Sequence, residues 1–61
     1  MKYLIMYHDS NSVWKTFVSD DLHYVLATYH VLCLVHDRVE LYEKADDFGY
    51  EFITKGGLEH D

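Results

Sequence analysis

The chain has 61 residues, with 11 acidic side chains against 5 basic ones, five histidines, one cysteine, no proline and a net charge of −6. So small a chain makes one domain and buries roughly 60% of the surface of its extended form, which leaves no second domain to close over an active site. Cys33, the single cysteine, makes an internal disulfide impossible, so the secreted disulfide scaffolds are excluded and a reducing cytosol fits.

The first eight residues carry one positive charge, Lys2, and a short apolar run broken by His8 and Asp9. That run is too short for a signal-peptide core. Tyr3, Ile5 and Tyr7 alternate with Leu4 and Met6, so both faces are apolar and the segment reads as a central strand covered on both sides. Asp9, Ser10, Asn11 and Ser12 form a turn by their chemistry, and Val13 to Val18 returns as the second strand of a hairpin over residues 2–18.

A helix is expected over 19–37. Ser19 is the candidate cap, and Asp20 and Asp21 stand where the helix dipole favours negative charge. At about 100° per residue, Leu22, Val25, Leu26, Tyr29, Leu32 and Cys33 share one face. The opposite face carries Tyr24, Ala27, Val31, Leu34 and Val35. A helix apolar on both sides needs two covers, and a chain this short supplies one. The second is expected to be another copy, so Tyr24, Ala27, Val31, Leu34 and Val35 form the candidate self-association surface of a homodimer. His30, His36 and Asp37 keep the apolar stretch short of a membrane span. A soluble cytoplasmic protein with no membrane partner is therefore expected.

Beyond Arg38 the pattern alternates. Val39 and Leu41 share a face with charges interspersed, which suggests an edge or half-exposed strand. Ala45, Asp46 and Asp47 turn the chain, and Phe48 to Lys55 returns with Phe48, Tyr50 and Phe52 on one face and Glu51 and Ile53 on the other. This second hairpin covers 39–55 and is followed by a short acidic tail over 56–61. The order of elements is ββαββ within a single domain over 1–61. It packs most simply as an α+β fold, an antiparallel sheet with one long helix on one face; exchange of the helix onto a second copy is the rival arrangement.

No residue set reads as catalytic, and no cofactor or metal is expected. Cys33 falls in the core stripe without a basic neighbour to hold a thiolate, and the glycines form no phosphate-binding loop. His30, Cys33 and His36 have the i, i+3 spacing of metal ligands. His30 and His36, however, lie about 120° apart round the helix and cannot both join Cys33 at one ion. A His30–Cys33 pair completed by its copy is the remaining metal reading. It defines an alternative class, a metal- or small-ligand-binding oligomer. A structural self-assembly subunit is another.

From Asp37 onward there are eight acidic residues and three basic ones, Arg38, Lys44 and Lys55. Phosphate affinity needs Lys and Arg clusters, so direct binding of nucleic acid is disfavoured. An acidic surface steers towards basic partners instead. Glu40, Glu43, Asp46, Asp47 and Glu51, interleaved with Tyr42, Phe48 and Tyr50, read either as ordinary solubilising and edge-protecting residues of an exposed strand pair or as a mimic of a phosphate backbone flanked by flat rings. Glu40, Tyr42, Glu43, Asp46, Asp47, Tyr50 and Glu51 are thus the candidate partner-binding residues, and the partner is a protein with a basic surface.

In size, acidity, tyrosine content, lack of proline and hairpin–helix–hairpin organisation the chain resembles small phage-encoded inhibitors such as anti-CRISPR proteins and the DNA-mimic inhibitors of uracil-DNA glycosylase. The resemblance carries no motif and transfers no functional residue. It implies a non-enzymatic, stoichiometric inhibitor or regulator of a host or defence protein, such as a CRISPR nuclease, acting in the host cytoplasm without turnover or cofactor.

Overall fold

The computed structural model describes residues 2–9, 13–47 and 49–58. Its elements are β1 (Tyr3–His8), β2 (Lys15–Ser19), α1 (Leu22–Val35), β3 (Arg38–Asp46) and β4 (Gly49–Gly56). The strands form one antiparallel sheet in the order β2-β1-β3-β4, and α1 packs on the sheet of its own chain. The expected ββαββ, α+β architecture is the one found. Because β2 and β3 both run antiparallel to β1, α1 is a crossover that carries the chain over β1 from one flank to the other.

That crossover corrects the reading of β3. Its interspersed charges suggest an edge or half-exposed strand; β3 is not an edge, since it pairs with β1 on one side and β4 on the other, but it is half-exposed. The edges are β2 and β4. Alternation explains how a charged strand sits inside the sheet: Val39 and Leu41 are buried under α1, while Arg38, Glu40 and Lys44 occupy the other face. β1 is central as expected, but only one of its faces is covered. Tyr3 and Ile5 are buried against α1, whereas Leu4 and Met6 are half-buried on a face with no second layer.

The helix is shorter than the expected 19–37, for a specific reason at each end. Ser19 pairs with Tyr3 and belongs to β2, so it cannot cap; its hydroxyl accepts instead from the Asp21 N–H at 3.1 Å. Asp21 is the cap, its carboxylate accepting from the Tyr24 N–H at 3.2 Å. At the other end the His36 N–H donates to the Leu32 carbonyl at 2.9 Å, and the backbone there turns extended (φ −117°, ψ 151°). Neither glycine nor proline stops α1. β3 begins two residues on and takes up the chain.

The core is small: Tyr3, Ile5, Val25, Val39 and Leu41, with Tyr7, Phe17, Tyr29, Leu32 and Cys33 packed around it. The inner helix stripe therefore holds for Val25, Tyr29, Leu32 and Cys33. Leu22 and Leu26 depart from it at 43% and 46% exposure. Leu22 lies in the first turn; Leu26 shares its side of the helix with Cys33, so angle round the helix does not explain its exposure.

Two register shifts interrupt the β3–β4 ladder. Leu41 faces Thr54 and Tyr42 faces Phe52, so Ile53 has no opposite residue. Such a bulge breaks strict alternation, which is why Ile53 does not simply share a face with Glu51. Beyond β4, Gly57 has φ +119°, and a Cβ added there would run into the Asp37 carbonyl, so a side chain meets backbone. This approach lets the Leu58 N–H donate to the His36 carbonyl at 2.9 Å. The expected turn residues Ser10, Asn11 and Ser12, the ring of Phe48 and the tail residues 59–61 lie outside the described residues.

Candidate interaction surfaces

The sheet sorts residues that are neighbours in sequence onto opposite sides.

The outer face of α1 is bare. Tyr24, Val31, Leu34 and Val35 are 57–61% exposed, and Ala27 is exposed beside them. Tyr24 is the exception in direction: its ring meets Phe17 edge to face at 5.5 Å, which turns it towards the β2 flank. The helix itself contains no Lys, Arg, Asp or Glu.

The acidic and aromatic set of the second hairpin divides between the two sides of the sheet. Glu43 stands opposite Tyr3 and Glu51, on the helix side. Glu40 and Tyr42 lie on the open side, joined by a bond from the Tyr42 hydroxyl to the Glu40 carboxylate at 2.8 Å. That bond, burial and the nearby negative charge all raise the Tyr42 pKa above the ordinary tyrosine value, the bond most. Tyr50, opposite Lys44, is on the open side too. Asp46 and Asp47 are exposed at the hairpin end and line a shallow hollow together with Lys2, Asp20 and Lys44. The seven candidate partner-binding residues are thus no single patch. Glu43, Asp46, Asp47 and Glu51 gather at one end of the hairpin, and Glu40, Tyr42 and Tyr50 belong to the open sheet.

The open sheet is the surface that the sequence pattern hides. Val18, Leu4, Tyr42 and Phe52 are successive cross-strand neighbours from β2 to β4, an apolar band running across all four strands. The Tyr42 and Phe52 rings meet edge to face at 5.7 Å, and Phe52 is 52% exposed. In an antiparallel sheet with one solvated face that face is ordinarily polar. The signal was present in the alternation of Leu4 and Met6, but that alternation fits a strand covered on both sides equally well.

Elsewhere the polar groups have structural work. Asp9 accepts from the Asp37 N–H at 3.3 Å and pairs with His36 Nδ1 at 3.1 Å, while the Tyr7 and His36 rings lie 4.8 Å apart. This fastens the end of α1 to the end of β1. Tyr29 and Cys33 pack against Gly56, where an added Cβ would come within 2.9 Å of both Tyr29 Oη and Cys33 Sγ. Burial first, then contact with Cys33, raises the Tyr29 pKa, and a bond with Thr54 opposes the rise. Cys33 is a packed side chain at the core margin, while His30 is exposed. Among the described residues no three His, Cys, Asp or Glu side chains converge as a metal site, and no helix is long and apolar enough to cross a membrane.

Fold and surfaces together define a two-layer α+β protein with apolar residues exposed on both outer sides. Set against protein-family models, curated proteins and solved structures, the chain matches none.

Proposed function

We propose that this protein is a non-enzymatic, stoichiometric binder that inhibits or regulates a protein with a basic surface, such as a nucleic-acid-handling enzyme of the CRISPR nuclease kind, and that it self-associates through the outer face of α1. The observation that carries the reading is the direct cross-strand pairing of Glu43 with Glu51, continued by Asp46 and Asp47 at the hairpin end. Like charges placed opposite one another destabilise a sheet. A cationic partner surface relieves that repulsion on binding and steers the encounter. The exposed strip of Val31, Leu34 and Val35 supports the self-association half of the reading, since contiguous apolar surface is uncommon on monomers.

The test is capture of partners from a lysate of the native host by the wild-type protein and by a variant carrying Glu43→Gln, Asp46→Asn, Asp47→Asn and Glu51→Gln, with circular dichroism confirming that both are folded. The expected result is a basic-surfaced protein retained by the wild type, released as salt rises, and lost in the variant. Equal capture by both proteins, or capture that salt leaves unchanged, sinks the acidic-surface reading.

A further inference from the structure

The exposed apolar residues of α1 are not spread evenly round its outer side. Tyr29 and Cys33 lie against Gly56 of β4, and Tyr24 meets Phe17 of β2, which turns one flank of the helix towards each edge of the sheet. At about 100° per residue, Val31 and Val35 fall within about 20° of Tyr24 and at least about 120° from Tyr29 and Cys33. They stand 57% and 58% exposed above the β2 side. That edge of the sheet is open: β2 pairs with β1 alone, so alternate N–H and C=O groups of β2 point away from the sheet. Lys15, Phe17 and Ser19 face the helix side, opposite Tyr7, Ile5 and Tyr3, and Thr16 and Val18 face the open side. The charges here are sorted by position. Lys15 starts β2, Asp20 and Asp21 follow its end, and residues 13–19 hold no acid. The Asp20 and Asp21 carboxylates accept from the neutral N–H groups of Lys2 and Tyr24, which leaves their charge in place. Lys2 and Lys44 share the nearby hollow with Asp20, Asp46 and Asp47, so that end, with Asp21, sets four carboxylates against two ammoniums. At the Lys15 end, Asp9 is held by His36 and the Asp37 N–H, where β3 begins.

We propose that β2 pairs antiparallel with β2 of a second copy, about a two-fold axis at Phe17, joining two sheets into one of eight strands with two helices side by side on it. The proposal rests on the self-association reading and names the edge that completes it. Pairing about Phe17 sets Lys15 opposite the partner's Ser19, Thr16 opposite the partner's Val18, and the two Phe17 rings opposite each other. Lys15 then lies diagonal to the partner's Asp21 on the helix side, a separation that long side chains span, and the axis repeats that contact. Charge selects this orientation. A parallel pair sets Lys15 beside Lys15 and the aspartates beside their copies, in a chain whose net charge of −6 already repels its own kind. The other edge, β4, fails the same test. Its cation, Lys55, lies opposite Glu40 on the open side and its acid, Glu51, opposite Glu43 on the helix side, because the bulge at Ile53 intervenes. Self-pairing of β4 cannot join the two, and the bulge bends that edge away from further pairing. The spacing suits the helix flank as well. In the joined sheet the two β1 strands stand about 14 Å apart, more than the roughly 8–10 Å between helices in direct contact, and the Phe17 and Tyr24 rings of both copies occupy the difference. Tyr24, Val31 and Val35 of each copy thereby face their counterparts. The hairpin carrying Glu43 and Glu51 lies at the far edge of each copy.

Sedimentation and hydrogen exchange on the wild type, Lys15→Glu and Val31→Asp test the contact, with circular dichroism confirming that each is folded; both positions are exposed. The wild type is expected to move from one chain mass of 7.3 kDa to two as concentration rises, and no further, since a contact between like edges closes on itself. As it does so, the β2 amides that β1 leaves unbonded should gain protection, while the edge amides of β4 should not. Lys15→Glu should raise the dissociation constant about tenfold at low salt, because the axis counts each lost pair twice, and added salt should narrow that gap. Val31→Asp should separate the two copies as well. A dimer lost in Val31→Asp, but with β2 amides exchanging as in the single chain and no response to Lys15→Glu, overturns the β2 pairing and leaves self-association through α1 standing. Growth beyond two chain masses overturns the closed pair. A wild type at one chain mass throughout overturns both readings.

Discussion

The inner and outer faces of α1 are built from similar residues and have opposite fates. Val25, Leu32 and Cys33 on the inner face pack with Ile5, Val39 and Leu41, while Val31, Leu34 and Val35 on the outer face stand more than half exposed. Hydrophobicity does not separate them, because the helix is apolar all round. What separates them is the crossover, which presses one side of α1 onto the sheet and leaves the other exposed. A side chain contributes to folding stability here only if the sheet lies under it.

The largest effect expected from this contrast is at the floor of the core. Ile5→Ala removes a fully buried side chain and should cost about 2–5 kcal/mol in urea unfolding. Leu34→Ala, on the bare face, should change the stability of the single chain by about 0.5 kcal/mol or less while weakening self-association. Similar costs at both positions would mean that the outer face is covered within one chain.

Gly57→Ala sharpens the comparison at the point where the end of the helix is fastened. The backbone there has φ +119° and crowds the Asp37 carbonyl, so a side chain should cost about 1–3 kcal/mol. The Leu58 N–H, which now bonds the His36 carbonyl, should lose protection from hydrogen exchange. Undiminished protection in Gly57→Ala would show that this bond does not anchor the helix.

The smallest effect lies on the open sheet. Tyr42 has its pKa raised above 10.0 by its bond to Glu40, so the folded state holds that proton more tightly than the unfolded chain does. Its contribution to stability is complete below about pH 10 and is lost as pH rises through the folded value. Thermal melts between about pH 9 and 11 should decline less steeply in Tyr42→Phe than in the wild type. Identical slopes would remove Tyr42 from the account, leaving Tyr29, whose pKa is also raised, as the residue to change next.

The elements were legible because their signals are local. Alternation in Tyr3 to Tyr7, the apolar run from Leu22 to Val35 and the acidic turn at Asp46 and Asp47 each act within a few residues. Boundaries were less so. Ser19 and Asp21 are both good caps, and the choice went to Asp21 because the ladder to Tyr3 claims Ser19. The bulge at Ile53 carries no residue signature, since it arises from how β4 matches β3. Of the candidate surfaces, the outer helix strip was visible as periodicity, whereas the division of the acidic set followed from register. The open apolar band is not legible in the sequence, because Leu4, Val18, Tyr42 and Phe52 are distant along the chain and become neighbours only across strands.

The sequence by itself determined the order of strands and helix, the absence of an internal disulfide and the excess of apolar surface on α1, because each depends on composition or on spacing along the chain. Tertiary structure alone decided that β3 lies inside the sheet, that Asp21 starts the helix, and that the acidic and aromatic residues of the second hairpin divide between the two sides of the sheet. Those are outcomes of pairing and of crossover geometry, in which residues far apart in the chain compete for the same neighbour.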